Sequence, residues 1–169
     1  MTPRPAGSGR WQVVSARSRE DVEHVRALFL EYAAGLGVDL EFQGFEEEVR
    51  ALPGEYAPPG GTLLLARRGP EVVGCAGVRP LPPGDCELKR LYVRPAARGL
   101  GLGRRLLARA LAFAEAAGYG RMWLDTLPTM AEAIGLYGAF GFVEVAPYRP
   151  NPIPGARYFR RELGRGTSK

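Results

Sequence analysis

The sequence predicts one α/β domain with a mixed sheet and helices packed on its faces. Three observations point there. Three β-like runs, Thr62 to Arg67, Val72 to Val78 and Cys86 to Val93, follow one another closely. The breaks Arg68-Gly69-Pro70 and Pro80 to Asp85 between them suit an antiparallel meander. From Gly101 onward the pattern changes to alternating helix and strand. At 169 residues the chain can bury one real core and is too short to divide comfortably into two.

Taken in order, residues 1–9 read as a flexible leader, 10–164 as the single domain and 165–169 as a flexible tail. Trp11 to Ala16 is short and β-prone, a first strand. From Glu20 to Leu36 the apolar positions Val22, Val25, Leu28, Phe29 and Tyr32 keep helical spacing, and Gly35 and Gly37 mark the stop. A short helix is expected over Phe45 to Leu52, before Pro53 and Gly54. After the meander come a helix from Gly101 to Ala117 closed by Gly118, a strand from Met122 to Thr126, and a helix from Met130 to Phe140 closed by Gly141. Strands at Phe142 to Val145 and Tyr158 to Leu163 complete the count. Thr129 with Glu132 three residues on fits a capping box for the last helix. The expectation is a mostly antiparallel sheet of six to seven strands with about four helices.

Composition narrows the function classes. A hydrophobic fraction of 46% and a charged fraction of 24% are those of an ordinary globular protein. The net charge of +5 is carried mostly by arginines scattered from Arg4 to Arg165, not clustered among aromatics as a nucleic-acid surface would have them. Cys75 and Cys86 lie in strand-like runs without companion histidines, so neither a metal site nor a disulfide framework is expected. No stretch of eighteen apolar residues and no apolar leader segment occurs, which points to a soluble, cytoplasmic protein with no membrane partner.

The chemistry concentrates in one segment that reads strand, turn, helix: Cys86-Glu87-Leu88-Lys89-Arg90-Leu91-Tyr92-Val93-Arg94-Pro95-Ala96-Ala97-Arg98-Gly99-Leu100-Gly101-Leu102-Gly103-Arg104. Gly99, Gly101 and Gly103 strip side chains from the entry to a helix, where free N–H groups and the positive helix end favour an anion such as a pyrophosphate. The dinucleotide fingerprint fails because Arg104 stands where its third glycine belongs, and no Lys-Ser or Lys-Thr completes a P-loop.

What the turn does match is Arg/Gln-x-x-Gly-x-Gly/Ala, as Arg98-Gly99-Leu100-Gly101-Leu102-Gly103. A second block, Ala133-Ile134-Gly135-Leu136-Tyr137-Gly138-Ala139-Phe140-Gly141-Phe142, follows in the right order. With these the chain resembles the GNAT superfamily of N-acetyltransferases, and is similar to bacterial members carrying Cys-Glu-Met/Leu-Lys-Arg-Leu-Tyr-Val. The resemblance runs from about the first strand to the last and is strongest from Glu87 to Phe142. One departure is Met130, where the family often carries Asn, which exchanges a polar contact to the pantetheine arm for packing.

The resemblance implies the GNAT acyl-CoA N-acyltransferase fold and acetyl-CoA as co-substrate, with no metal. Leu91, Tyr92, Val93, Arg98, Gly99, Leu100, Gly101, Leu102, Gly103, Arg104 and Met130 would contact it, with oxyanion donors around Leu91 to Val93. Arg94 and Arg105 are weaker phosphate candidates. A primary amine has a pKa of about 10.4 and must lose a proton before it attacks. The family position of the base falls on Glu87, which strand alternation would place on one face with Leu91 and Val93; an ion pair with a neighbouring arginine is the alternative. Tyr137 matches the tyrosine thought to protonate the departing thiolate, and equally fits a core position. The acceptor wall is expected around Tyr32, Phe42, Gln43 and Tyr56, all of which also suit packing. Asp125, at a strand end, suits either an orienting role in the cleft or a turn. The acceptor is a small-molecule or peptide amine, nucleic acid is not favoured, and a homodimer stays open. The competing function is a non-catalytic acyl-CoA-binding regulatory module.

Overall fold

The computed structural model describes residues 9–37, 39–40 and 44–164. Its elements are β1 (Gln12–Ser15), α1 (Arg19–Leu36), α2 (Phe45–Ala51), β2 (Thr62–Arg68), β3 (Glu71–Leu81), β4 (Asp85–Val93), α3 (Leu102–Ala116), β5 (Arg121–Thr126), α4 (Ala131–Ala139), β6 (Val143–Val145) and β7 (Arg157–Glu162). The seven strands form one sheet in the order β1-β2-β3-β4-β5-β7-β6. Every pairing is antiparallel except that of β4 with β5. The meander and the alternating half therefore stand as the sequence predicts.

Each helix covers one face with its apolar stripe. Leu102, Leu106, Leu107, Ala110, Leu111 and Ala114 of α3 are buried on one side of the sheet. Val25, Leu28 and Phe29 of α1, with Phe45 and Val49 of α2, bury the other. α1 starts at a capping box: the Ser18 hydroxyl accepts from Asp21 N at 3.0 Å, and Asp21 Oδ2 accepts from Ser18 N at 3.3 Å.

The capping box expected at Thr129 is not formed. Met130 N donates to Leu127 O at 3.0 Å, and this extra turn delays the helix until Ala131. Met130 becomes the N-cap without a side-chain bond, and Glu132 falls one position short of the reciprocal site.

Two irregularities of β4 shape the site. Lys89 pairs with Gly77 but Tyr92 with Cys75, so Arg90 and Leu91 together stand against Ala76 in a bulge. Arg90 adopts φ 59, the only non-glycine residue with positive φ among those described. The second irregularity is that β4 and β5 pair only at Cys86↔Met122 and Glu87↔Trp123. Past Glu87 the two strands part, and the β5-facing edge of β4 has no strand partner.

The bulge overturns the expectation that Glu87, Leu91 and Val93 share a face. Alternation holds to Lys89 and is then shifted by one residue, since a bulge inserts one extra residue into the period of two. Leu88, Leu91 and Val93 pack with α3, whereas Glu87 meets Arg79, Tyr148 and Arg149, and Arg79 in turn reaches Glu48 of α2.

Candidate active site

Where β4 and β5 part, a narrow cavity of about 30 Å³ opens. Lys89, Arg90 and Leu91 form its β4 wall, and Leu124 to Leu127 its β5 wall. Met130 and Tyr137 close it from α4, Tyr32, Leu36 and Leu40 from the α1 side, and Asn151 and Ile153 from the connection before β7.

Beside this gap lies the start of α3. Gly99 and Gly101 take φ 87 and 77, the left-handed conformation that glycine reaches without a Cβ penalty. Arg105 N donates the first helical bond to Gly101 O at 3.1 Å, so Leu102, Gly103 and Arg104 bring N–H groups without helical acceptors. At Gly103 an added Cβ would make only an ordinary contact, 3.7 Å from Leu136 Cδ2. Bare amides at a positive helix end fit a diphosphate.

The four phosphate candidates Arg94, Arg98, Arg104 and Arg105 divide. Arg98 Nε donates to Val93 O at 3.0 Å, fixing the turn, and Arg104 lies over the Phe140 ring at 5.3 Å. Both stand at the helix mouth. Arg105 donates to Trp11 O, tying α3 to β1. Arg94 is bound by Glu31 and Val72 O, so neither of the weaker candidates is directed to a phosphate.

Glu87 is fully buried and both of its oxygens are engaged. Oε2 accepts from Tyr148 Oη at 2.6 Å; Oε1 accepts from Arg149 at 2.9 Å and from Arg79 Nε at 3.0 Å. These surroundings match the ion-pair alternative. Glu87 does not line the cavity, so as a base it would reach an amine only through water or an intervening group.

The carboxylate that lines the cavity is Asp125. Its side chain pairs with Lys89 Nζ at 3.5 Å and accepts from Asn151 Nδ2 at 3.2 Å. Lys89 is 3% and Asp125 4% exposed, so the pair is shielded from bulk water. Burial pushes the Lys89 ammonium below its ordinary pKa, and the carboxylates of Glu87 and Asp125 pull it partly back. Burial also drives the Tyr137 hydroxyl well above its ordinary value, with Tyr32 and Asp125 adding to the shift. Tyr137 packs its ring edge-on against Phe142 at 5.7 Å and also lines the cavity.

Other expected residues scatter. Tyr32 lines the cavity and stacks edge-to-face on Tyr92. Met130 lines it too, its sulfur accepting from Thr126 Oγ1 at 3.5 Å, so packing stands where the family's Asn would. Leu91 reaches the cavity, whereas Tyr92 turns to the α1 side and donates to Glu31. Tyr56 is buried against Phe29 and over Gly77, where any Cβ would meet its ring at 2.6 Å. Phe42 and Gln43 lie outside the described residues.

Sequence reasoning passed over residues 146–156. Four prolines, Pro147, Pro150, Pro152 and Pro154, stiffen this strap. Tyr148 and Arg149 fasten it to Glu87, which brings Asn151 onto Asp125 and Ile153 into the α1 cluster. The proline spacing was the visible signal.

A parallel strand pair that parts beside an anion-receiving helix start is the arrangement of acyl-CoA-dependent N-acetyltransferases, and this protein is one of them. The chain belongs to the acetyltransferase (GNAT) family, whose model matches residues 24–142. It is 42% identical to an uncharacterized N-acetyltransferase of Schizosaccharomyces pombe, over 86% of this chain and 91% of that one. A GNAT acetyltransferase of Staphylococcus aureus superposes with a TM-score of 0.76 at 20% identity, covering 92% of this chain and all of the other. The PaiA N-acetyltransferase of Thermoplasma acidophilum, solved in complex with coenzyme A, superposes at 0.69 with 16% identity, covering 90% and 99%. No described helix is long and apolar enough to cross a membrane.

Proposed function

We propose that the protein transfers an acetyl group from acetyl-CoA to a primary amine by direct attack while both substrates are bound. The observation that carries this is the placing of Asp125, Lys89 and Tyr137 around one cavity, in the gap beside the glycine-led start of α3. Acetyl-CoA brings the activated acyl carbon. The chain's own groups do the rest. The free N–H groups of Leu102 to Arg104, with Arg98 and Arg104 at the mouth, bind diphosphate. The unpartnered edge of β4 supplies backbone donors from Leu91 to Val93, for an extended arm and for the charge that develops on the carbonyl oxygen. Asp125 accepts the amine proton, directly or through water, because it is the carboxylate in the cavity wall. Glu87 positions the strap. The Tyr137 hydroxyl, held protonated by burial, donates to the departing thiolate; that thiol's pKa of about 8.5 makes the donation helpful and not indispensable.

We place the protein, by its Cys86–Val93 segment, beside bacterial members of the family, with a cytoplasmic amine as acceptor. The experiment is thiol release from acetyl-CoA against a panel of amines, alongside calorimetric titration with coenzyme A. Release that depends on the amine supports direct transfer. Tight binding with no transfer to any amine would make the protein an acyl-CoA-binding regulatory module instead.

A further inference from the structure

Five side-chain charges run in an unbroken line on the acceptor side of the sheet: Arg90, Glu48, Arg79, Glu87 and Arg149. Glu48 accepts from Arg90 Nε at 3.0 Å and NH2 at 3.1 Å, and lies 3.5 Å from Arg79 NH1. Arg79 and Arg149 then hold Glu87 from two sides. Three guanidiniums, which do not deprotonate, face two carboxylates, so the line carries one positive charge in excess. Glu55 comes within 3.8 Å of Arg79, but at 71% exposure solvent screens it. The Lys89–Asp125 pair alongside balances itself.

The two ends of the line differ. Arg90 is committed: its side chain is 2% exposed, doubly bound by Glu48, with the Phe45 ring 4.9 Å from its guanidinium carbon. Arg149, at the outer end on the proline strap, is 26% exposed, and its Nε is buried without a hydrogen-bond partner. Beyond it Arg160 lies over Trp123 at 5.2 Å, its buried Nε without a hydrogen bond but 3.6 Å from the largely exposed Glu162 carboxylate. A largely buried line that carries one positive charge in excess and ends in a partly exposed guanidinium, held by Glu87 and by the Tyr148 ring 5.3 Å away, is completed by an anion.

We infer that the acceptor is an amine that also carries an anionic group, held at Arg149 while its amino group reaches Asp125. This rests on acetyl transfer in the cavity described above. A guanidinium's planar fork suits a carboxylate or a phosphate, and the positive excess at the mouth draws anionic amines inward. The latch of the strap on Glu87 then places the recognition group, which explains why a buried carboxylate holds two arginines at once.

The test is thiol release with glycine, β-alanine and γ-aminobutyrate, each beside its uncharged amide, and with aminomethylphosphonate as the phosphate-type arm. Wild-type protein is expected to favour at least one acid over its amide by about tenfold or more in kcat/KM, the size of one charge-assisted contact. A preference for the phosphonate over glycine supports the inference with phosphate as the anion. Arg149→Met also takes one strap contact from Glu87, so it is expected to raise the KM of both acceptors but that of the acid several-fold more than that of its amide, removing the advantage, and Arg149→Lys to keep part of it. Amides that match their acids in the wild-type protein overturn the inference without recourse to any variant. So does an Arg149→Met protein, folded and binding coenzyme A, that loses acid and amide turnover alike. Coenzyme A binding with no turnover of any amine is a different failure: it removes the acetyl-transfer reading, and this inference with it.

Discussion

Arg90 and Glu48 meet through two hydrogen bonds, 3.0 and 3.1 Å long, at the residue where β4 bulges. Arg90 holds φ 59, a conformation costing a side-chain-bearing residue about 1–2 kcal/mol. The chelated guanidinium, packed beside Phe45, supplies the compensation. The bulge in turn decides which β4 residues face the substrates.

Removing one partner leaves a buried charge uncompensated. Glu48→Gln is therefore expected to cost about 3–5 kcal/mol and to lower Tm by roughly 10 °C. Thermal unfolding monitored by circular dichroism measures it, and a Tm within a degree or two of wild type would show that Arg90 does not depend on Glu48.

Asp125 and Glu87 are separable by kinetics. Asp125→Asn should lower kcat by about a hundredfold or more, the size of a lost general base. Glu87→Gln should act mainly on acceptor KM, through a loosened strap, and leave the shape of the kcat–pH profile intact. If instead Glu87→Gln erases the acidic limb of that profile and Asp125→Asn keeps it, the roles are reversed.

Tyr137 is held protonated by burial well beyond the ordinary tyrosine range. Its proton is thus available throughout the working range, and wild-type kcat should show no fall near pH 10 arising from this group. Tyr137→Phe is expected to lower kcat by roughly tenfold with little change in the KM for acetyl-CoA, less than a full general-acid contribution because the thiolate leaves readily.

Gly101 takes φ 77 with open space where a Cβ would stand. Gly101→Ala meets no clash, yet should destabilise the helix start by about 1 kcal/mol and weaken coenzyme A binding in calorimetry. An unchanged dissociation constant would mean that the α3 amides do not bind the diphosphate.

Asp21 carries an acid-linked share of stability. Hydrogen bonds from Arg17 N, then Ser18 N and Arg67, lower its pKa from 3.8, with partial burial opposing them. For a depressed carboxylate the stabilisation is present above the unfolded value and is lost as pH falls through the folded one. The stability difference between wild type and Asp21→Asn should accordingly be constant near neutrality and shrink below about pH 4. Chemical denaturation at a series of pH values reads it.

The sequence by itself determined what local chemistry governs. Helical spacing in α1 and α3, glycine stops at Gly37, Gly118 and Gly141, the meander breaks and the bare amides at Gly99 to Gly103 depend on neighbours a few residues away, and all are visible in one dimension. Tertiary structure decided the rest. A single inserted residue at Arg90 moved Glu87 away from the face of Leu91 and Val93. Glu87 lost its free oxygens to Tyr148 and Arg149, sixty-one and sixty-two positions further along the chain. Asp125 gained the cavity because β4 and β5 part after two paired residues. Strand register and charge pairing between distant segments are settled by the packing of the whole sheet, and no local pattern in the chain records them.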